Sequence, residues 1–343
     1  MLMVAREIGA ASAPYRSGAT TAATAPGRRR RHPLARVAAL AALAAPWSWF
    51  VVRDRGELFD AAAIGMPLVV PALVGLLLVA AVIRPLRRMG LAAAASALVV
   101  GAVVVVAPWT PQGSPVPEPA VRVASANVLL RNTQAAAAAA AIIDIDADVV
   151  VSLETRGDIG GVLDRAYRYG STSDRELSQR IYARWPVVEM ERLPGRLAPH
   201  GLRAVIDRPG GRFVVYGVHL PRPWLDSSRT SVPVEVHTEL VAALADLVRA
   251  ETLPAVLAGD LNLVDRSSGY RSLDAFLRDA VRTEWAGPTS LKRRVRFLLP
   301  RIDHIFVTEG WCAEGGGRFN VPGSDHKGVV AAVGPCPAPD RSS

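Results

Sequence analysis

The chain has 343 residues and a mass of 36.4 kDa, and half of its residues are hydrophobic, with a mean hydropathy of +0.22. This composition excludes an intrinsically disordered chain and a small disulfide-rich scaffold. The net charge is +9, but residues 1–119 carry 12 Lys and Arg against 5 Asp and Glu, whereas residues 120–335 carry 27 against 25. The excess of positive charge therefore belongs to the N-terminal third, and the larger downstream region lacks the basic stripe typical of duplex-binding proteins.

The sequence has two cysteines, Cys312 and Cys336. They form no Cys-x-x-Cys pair and are too few to build a zinc site, so they are either free thiols or one disulfide. Any metal site in this chain must therefore use oxygen and imidazole ligands.

The N-terminal residues 1–33 are rich in Ala, Ser, Thr, Pro and Gly and include four consecutive arginines at 28–31. Such a segment has too little apolar surface to pack, so we expect a disordered basic tail. Residues 34–107 then contain three uncharged apolar stretches, at about 37–52, 61–83 and 89–107. Because a helix rises about 1.5 Å per residue and the hydrocarbon core is about 30 Å thick, these stretches predict three transmembrane helices, the first of them short.

The apolar stretches have two other interpretations, namely helices in the core of a soluble domain and a cleaved signal peptide. Both have less support. Helices buried in a soluble core would need amphipathic partners, and none flank them. A cleaved signal peptide would fit the arginines at 28–31 and the apolar run after them, but two further apolar stretches follow, and Pro46 comes just after the only small-residue cleavage site. The three stretches are therefore interpreted as a membrane anchor.

The basic residues of the short loops predict the orientation of this anchor. The tail is strongly basic, the loop at 53–57 has no net charge, and the next loop carries Arg84, Arg87 and Arg88. Since Lys and Arg are retained on the cytoplasmic side, the tail and the second loop are cytoplasmic. Three spans then predict a multi-pass protein of the plasma membrane in which everything after Trp109 is extracytoplasmic. Residues 108–119 contain five prolines and are expected to form a stiff Pro-rich linker.

The region at 120–335 has the pattern of a mixed α/β domain, followed by a short tail at 336–343. Short runs rich in Val and Ile alternate with runs whose apolar residues have helical spacing. Pro209, Gly210 and Gly211 lie between two of the strand-like runs and indicate a hairpin. The predicted strands are 121–130, 148–153, 202–207, 212–220, 254–259, 302–308 and 328–333, and the predicted helices are 133–143 and 234–250.

Polar residues stand where several of these apolar runs end. Taken singly, each fits an ordinary structural role, such as a turn, a helix cap or a hydrogen-bonded core histidine. Together they predict a shared cleft at one edge of the sheets. The motifs are Ser125-Ala126-Asn127, Ser152-Leu153-Glu154, Gly217-Val218-His219-Leu220, Gly259-Asp260-Leu261-Asn262, Arg301-Ile302-Asp303-His304 and Ser324-Asp325-His326.

In this order, the six motifs resemble those of the endonuclease/exonuclease/phosphatase superfamily, which has the deoxyribonuclease-I-like fold. The resemblance covers about residues 122–333 and none of the membrane region. The series GDLN, RIDHIF and SDH is specific, while the Asn127 and Glu154 motifs are weak alone. The segment RIYARWP at 180–186 is also similar, with Ala183 in place of the serine common in the family. The resemblance implies a four-layer α/β sandwich, here preceded by three transmembrane helices, and metal-dependent phosphoester hydrolysis.

The resemblance also implies a metal site. Carboxylate and amide oxygens without thiolates suit a hard ion such as Mg²⁺ or Mn²⁺. Glu154 would be the principal metal ligand, and Asn127 would lie close to the ion or the scissile phosphate. Asp325 would bind a second ion or support the first. No organic cofactor is expected.

The remaining matched residues are implied to carry the catalytic chemistry. Asp260 and Asn262, two residues apart on one extended segment, would hold the attacking water. His326 would be the catalytic histidine, as base or as transition-state donor, and Asp303 would fix its tautomer. His219 would contact the phosphate or the leaving oxygen. His304 follows Asp303 directly on a strand and would point to the opposite face, away from the site.

These features predict a membrane-anchored, divalent-metal-dependent phosphoesterase of the phosphodiesterase or nuclease type. A non-catalytic binding or scaffold protein on the same fold is the alternative, although none of Glu154, Asp260 and His326 is lost. Membrane transport would require ionisable residues inside the spans, and almost none are present. The expected partners are the membrane and a phosphoester substrate, which is a nucleic acid, a lipid headgroup or a small phosphodiester; no obligate protein partner is implied. The basic cluster at 292–296 is either a phosphate-binding edge or a solvated loop.

Overall fold

The computed structural model describes residues 33–83, 87–170, 178–224, 231–292 and 296–337. The predicted disordered tail lies outside the described residues, except for Pro33. Part of the second basic loop and the residues from 338 onward also lie outside them.

The first predicted membrane segment is not one uninterrupted α-helix. It consists of α1 (Pro33–Ala44), a 3₁₀ turn (Ala45–Ser48) and the short α2 (Trp49–Val52). Pro46 lies in the 3₁₀ turn, and because proline has no N–H it cannot donate to the carbonyl four residues earlier. The α-helical hydrogen-bond ladder is therefore interrupted at this point.

The second and third predicted segments are long helices, α3 (Glu57–Val82) and α4 (Arg87–Val105). Among the described residues, two apolar helical segments, Leu58–Val82 and Arg87–Trp109, have the length and composition needed to cross a membrane. The predicted count of three transmembrane helices is thus not confirmed, because the apolar helical segment of the first stretch, Leu40–Val52, is too short to qualify.

The region after the linker alternates strands and helices, and every strand and helix predicted from the sequence overlaps an observed one. The helices Gly157–Ala166 and Ser268–Asp274 and the strand Trp311–Asn320 are among the elements that the sequence patterns did not predict. The strands are β1 (Val121–Asn127), β2 (Val149–Leu153), β3 (Tyr169–Gly170), β4 (Arg180–Ala183), β5 (Val187–Arg192), β6 (Gly201–Arg208), β7 (Gly211–His219), β8 (Arg222–Trp224), β9 (Ser231–Pro233), β10 (Ala255–Asp260), β11 (Arg278–Asp279), β12 (Asp303–Val307), β13 (Trp311–Asn320) and β14 (Lys327–Pro335), and the helices are α5 (Ala135–Ile143), α6 (Gly157–Ala166), α7 (Val234–Arg249) and α8 (Ser268–Asp274).

Most strands belong to two six-stranded sheets. The first has the order β13-β14-β1-β2-β4-β3, and the second has the order β11-β12-β10-β7-β6-β5. In each sheet a central pair is parallel, β1 with β2 and β10 with β7, and the neighbouring pairs are antiparallel. A parallel pair ends on the same edge of its sheet, so the residues that follow β1 and β2, or β7 and β10, are brought together.

The two sheets pack face to face, with helices on their outer faces. Val123 and Val151 of the first sheet and Val215 and Val256 of the second belong to the central core. The outer face of the first sheet packs against α5 and α6, and that of the second against α7 and α8. Fully burying one such aliphatic side chain stabilises the fold by about 1.5–3 kcal/mol. This mixed α/β architecture with two sheets agrees with the predicted deoxyribonuclease-I-like fold.

The proline-rich segment after α4 begins in a 3₁₀ turn (Ala107–Trp109) and is then irregular, but it does not hold the helices away from the sheets. Trp109 is buried, and its carbonyl accepts a hydrogen bond from the N–H of Ala286 at 3.0 Å. Further along, the N–H of Glu118 donates to the carbonyl of Pro335 at 3.3 Å. Met66 of α3 and Val104 of α4 belong to the same buried cluster as the residues between the sheets. The helices and the α/β region therefore share one core.

Cys312 and Cys336 form a disulfide, which decides between the two alternatives left by the sequence. The bridge joins the start of β13 to the residue after β14. These two strands are antiparallel neighbours, and β14 begins directly after His326. The covalent link therefore closes the end of the hairpin opposite to this histidine.

Candidate active site

Three of the predicted site residues lie in one row across the second sheet. In the register of its central strands, Asp260 at the end of β10 is opposite His219 at the end of β7 and opposite Asp303 at the start of β12. In the first sheet, Asn127 at the end of β1 is opposite Leu153 at the end of β2. Glu154 is the residue directly after β2. The strand register of the two sheets thus brings these five positions to the same edge of the sandwich.

Asn127 connects the two sheets at this edge. Its side-chain Nδ2 donates to Oε1 of Glu154 at 3.0 Å and to Oδ2 of Asp260 at 3.1 Å. The other carboxylate oxygen of Glu154, Oε2, accepts a hydrogen bond from the N–H of Leu130 at 2.9 Å. Glu154 has a φ of 54°, a conformation that is unusual for a residue other than glycine and that is concentrated at functional sites.

The clearest interaction of the site is between His326 and Asp303. Nδ1 of His326 lies 3.0 Å from Oδ2 of Asp303, and both side chains are buried. Because the carboxylate accepts from Nδ1–H, Nε2 is left as the ring atom available for chemistry. Burial alone would lower the pKa of His326, but the carboxylates of Asp303 and Asp260 raise that pKa to about 10.

His219 and Asn262 also reach this cluster, in different ways. Nε2 of His219 lies 3.7 Å from Oδ2 of Asp260 and 3.9 Å from Oε1 of Glu154. The segment after Asp260 is not extended, contrary to the expectation from sequence, because Asn262 has a φ of 48° and its N–H donates to Oδ1 of Asp260. Nδ2 of Asn262 donates to the carbonyl of Leu220 at 2.9 Å, and among the described residues its Oδ1 has no hydrogen-bond donor.

Asp325, predicted to take part in metal binding, makes its described contacts elsewhere. One oxygen lies 3.3 Å from Nζ of Lys292, and the other lies 4.0 Å from Nε2 of His326. Its closest described partners are thus a lysine and the catalytic histidine candidate, and no described contact joins it to Glu154 or Asn127.

His304 lies outside the site, as predicted from the two-residue period of the strand. Its Nε2 donates to the carbonyl of Leu263 at 2.8 Å, and its ring stacks on Phe306. Beside it is a fully buried network in which Arg301 pairs with Asp265 at 3.0 Å and with Asp279 at 2.7 Å. This network supports the second sheet behind the site and does not open into the cleft.

Three residues of the site have roles that the sequence patterns did not predict. The hydroxyl of Ser324 donates to the carbonyl of Asn127 and accepts from the N–H of His326, so it joins two of the motifs. Thr289 accepts from the N–H of Asp303, and the buried His237 donates to the carbonyl of Leu261. Ser324 belongs to the SDH motif, so the sequence offered a signal for it. Thr289 and His237 belong to no recognisable sequence pattern.

The donor set fits a hard divalent cation. The carboxylates of Asp260 and Glu154 converge on the side chain of Asn127, so three oxygen-bearing side chains lie close together. Asp260, Asp303 and His326 also form a compact group with ligand atoms within 4.8 Å of one another. In that group, however, Nδ1 of His326 is hydrogen-bonded to Asp303, so the imidazole acts there as a donor rather than as a ligand. The oxygens on the Glu154 side are the better match to the chemistry of Mg²⁺.

The chain belongs to the Endonuclease/Exonuclease/phosphatase family, whose model matches residues 124–326. The matched range contains every predicted site residue. Members of this superfamily are phosphoester hydrolases, and the family is typically dependent on a divalent metal. No curated protein matches the sequence.

Solved structures share this fold at low sequence identity. The endonuclease/exonuclease/phosphatase from Bacteroides vulgatus is 18% identical, with a TM-score of 0.51 over 63% of this chain and 99% of that one. A humanized D. rerio TDP2 with 14 mutations is 17% identical, with a TM-score of 0.50 over 62% of this chain and 98% of that one. The endonuclease/exonuclease/phosphatase from Beutenbergia cavernae DSM 12333 is 22% identical, with a TM-score of 0.49 over 64% and 73% of the two chains.

Proposed function

We propose that this protein is a membrane-anchored, divalent-metal-dependent phosphoesterase of the phosphodiesterase or nuclease type. The observation that carries the proposal is the meeting of the His326–Asp303 pair with Asp260, Asn127 and Glu154 at one edge of the sandwich. General acid/base groups and hard oxygen ligands within a few ångströms of one another are what phosphoester hydrolysis requires.

Each residue has a role that follows from its contacts. Asp303 holds Nδ1 of His326, so that Nε2 can exchange a proton with water or with the leaving oxygen. Asp260 and the free Oδ1 of Asn262 orient the attacking water, and His219 donates to a phosphoryl oxygen. A divalent cation, Mg²⁺ or Mn²⁺, bound by Glu154 with Asn127 nearby, would neutralise the charge on the phosphoryl group, and Asp325 would support it or bind a second ion from the His326 side.

The arrangement favours an enzyme over a non-catalytic scaffold. A scaffold has no need to bring Glu154, Asp260 and His326 together, and all three are present and meet at one edge of the sandwich. Transport is disfavoured because the apolar windows of α3 and α4 lack paired ionisable residues.

For the membrane region, we propose an anchor of three spans with the catalytic domain, residues 120–335, outside the cytoplasm. The apolar window of α3 is only 11% buried, which is unlike a helix in a soluble core. The stretch at 37–52 lies along α4, since Trp47 donates to the hydroxyl of Ser96 and that hydroxyl donates to the carbonyl of Leu43. The disulfide supports an oxidising compartment. Residues 1–33 would be the cytoplasmic tail and 108–119 the connection.

The test uses the purified full-length chain in nanodiscs with bis(p-nitrophenyl) phosphate as a generic phosphodiester. Hydrolysis that requires Mg²⁺ or Mn²⁺ and is lost in His326→Ala supports the proposal. The matched control is His200→Ala, because His200 is half-buried near His219 and has no contact with Asp303 in the described structure. Absence of hydrolysis of the diester, of an oligonucleotide and of phospholipid vesicles would favour the scaffold.

A further inference from the structure

A cavity that opens to solvent adjoins the candidate active site, and its empty space, including the solvent at its mouth, is about 570 Å³. Asn262 and His326 of the candidate active site line one part of it, and most of the other lining side chains are apolar. Trp224 at the end of β8 is 50% exposed at this cavity, although a tryptophan indole exposed to water is unfavourable. A polar catalytic end joined to an apolar trough is the shape of a site for an amphiphilic molecule.

One wall of this cavity belongs to the membrane anchor rather than to the α/β region. Ile64, in the second turn of α3, lines the cavity together with Leu298 and Pro300. Phe297 and Leu299, on either side of Leu298, are 50% and 37% exposed. Since α3 continues toward Val82 with an apolar and mostly exposed surface, the apolar end of the cavity lies beside the segment that enters the bilayer.

Arg266 fixes this wall in place. Its buried guanidinium donates from Nε to the carbonyl of Ala63, and from Nη2 to the carbonyls of Ile64 and Leu298 at 3.0 and 2.8 Å. The carbonyl of Ala63 is available because residue 67, its partner in a regular helix, is a proline without an N–H. Arg266 thus ties the anchor helix and the loop carrying Leu298 to the same point.

A second contact sets the rotation of α3 against the α/β region. The carboxylate of Asp60 accepts hydrogen bonds from the N–H and the hydroxyl of Ser268, at 2.7 and 2.5 Å. Asp60 precedes Ile64 by one helical turn, so the two side chains lie on the same face of α3. The position of Ile64 in the cavity is therefore set by polar contacts on both sides of it.

The cavity also contains two cations suited to a phosphate. Arg222 lines it and makes no ion pair within the part of the chain that is described, and Lys292 lines it while paired with Asp325. Lys292 is connected to the catalytic end through Asp325, because the other oxygen of Asp325 lies 4.0 Å from Nε2 of His326. A negatively charged headgroup at this end and hydrocarbon along the apolar wall would match the lining at both ends.

We propose that the substrate is a phospholipid of the bilayer in which the chain is anchored. The phosphate would lie at Asn262 and His326, and the adjoining hydrocarbon would lie against Trp224, Leu298 and Ile64. In the reaction, water adds to phosphorus, one P–O ester bond breaks and the leaving oxygen takes up the proton, which gives a phosphomonoester and an alcohol. This inference rests on the proposed phosphodiesterase function, and it makes the anchor a part of the substrate site.

The test compares three probes with the full-length chain reconstituted in mixed phosphatidylcholine and phosphatidylglycerol vesicles and supplied with Mg²⁺. The probes are the lipids of those same vesicles, bis(p-nitrophenyl) phosphate and a short single-stranded oligonucleotide. The variants are Trp224→Ala and Ile64→Ala. The control is Trp285→Ala, because Trp285 is 47% exposed, close to the value of Trp224, but packs on Trp109 outside the cavity.

Hydrolysis of the vesicle lipid is expected, and Trp224→Ala and Ile64→Ala should each lower the ratio of lipid to small-diester kcat/KM by about tenfold, the scale of a lost apolar contact. Trp285→Ala should leave both rates unchanged. Preference for the oligonucleotide, hydrolysis of the small diester without the lipid, or an equal loss of both activities in Trp224→Ala would each overturn the inference while the phosphodiesterase function stands. Absence of hydrolysis of every probe would overturn the proposed function and this inference with it.

Discussion

Nδ1 of His326 and Oδ2 of Asp303 are 3.0 Å apart in a buried setting, and this contact decides which nitrogen of the imidazole can act on the substrate. We expect His326→Ala and Asp303→Asn each to lower kcat/KM for a small phosphodiester by at least about a hundredfold. Because the two residues act as a unit, the double variant should be little worse than either single one. Steady-state kinetics of the four proteins measure this, and additive losses would show that Asp303 does not act through His326.

Glu154 should govern the metal requirement. Glu154→Gln keeps the shape of the side chain but removes its charge, so the Mg²⁺ concentration needed for half-maximal activity should rise by at least about tenfold. Chelation should abolish the activity of the unaltered protein, and Mg²⁺ or Mn²⁺ should restore it. Glu309→Gln, in an exposed turn after β12, is the matched control. Full activity after exhaustive chelation would remove the basis for the metal site.

The buried network behind the site should contribute to stability in a pH-dependent way. Burial alone would raise the pKa of Asp279, but the Arg301 guanidinium outweighs it and holds this pKa below its usual range. A depressed pKa stabilises the fold above the carboxyl's unfolded pKa, and this stabilisation is lost as the pH falls. Asp279→Asn should therefore lower the Tm at pH 7, by an amount that corresponds to a loss of about 3–5 kcal/mol in the free energy of unfolding. The difference in Tm between the variant and the unaltered chain should shrink as the pH falls toward 3.

Thermal unfolding measured by circular dichroism across this pH range gives the comparison. Asp246→Asn is the control, because the Arg249–Asp246 pair is exposed on α7 and contributes little to stability. A Tm difference for Asp279→Asn that stays constant from pH 7 to pH 3 would mean that the network does not depend on the charge of this carboxyl.

The disulfide should stabilise the end of the sandwich that carries β13 and β14. It closes a loop with a sequence separation of 24, for which the chain-entropy model gives about 3.5 kcal/mol. Cys312→Ser, or reduction of the unaltered protein, should therefore lower Tm by several degrees. The reductant should have no effect on the Cys312→Ser variant, and an identical Tm for the oxidised and reduced proteins would contradict the prediction.

The topology proposal gives a clear expectation for a fusion at the C-terminus. A reporter that is active only in the cytoplasm, placed after Ser343, should be inactive if the three spans carry the catalytic domain outside. The same reporter placed within the loop at 84–88 should be active. Activity at the C-terminal position would mean that residues 37–52 do not span the bilayer or that the orientation is reversed, and the extracytoplasmic assignment would be withdrawn.

The strands and their polar ends were predictable because their signals are local. Valine-rich runs such as 149–153 are typical of buried strands, and Glu154 comes directly after one. The register between β7, β10 and β12 is a property of pairing between distant segments, but the family motifs indicated which strand ends meet. The turn at Asn262 was not predictable from alternation, since a residue with positive φ breaks the two-residue period on which that argument depended.

The contacts of the anchor were not predictable for a different reason. Asp60 and Arg266 each resemble ordinary charged residues near apolar segments, and no pattern within either segment indicates their partners. Pro46 and Pro67 can be read directly from the sequence, but their structural effects differ. Pro46 interrupts a helix, whereas Pro67 leaves α3 continuous and frees a carbonyl for Arg266. Only the tertiary structure distinguishes these two outcomes.

The pairing of Asp60 with Ser268 joins residues 208 positions apart in the chain. A ribosome adding roughly 5–20 residues per second needs about 10–40 s to make the intervening segment. For that interval the nascent helix α3 has the carboxylate of Asp60 and the carbonyl of Ala63 without the partners that Ser268 and Arg266 supply. Each new molecule therefore passes through a stage in which the polar contacts of α3 are incomplete, and a chain that terminates before Arg266 would remain in it.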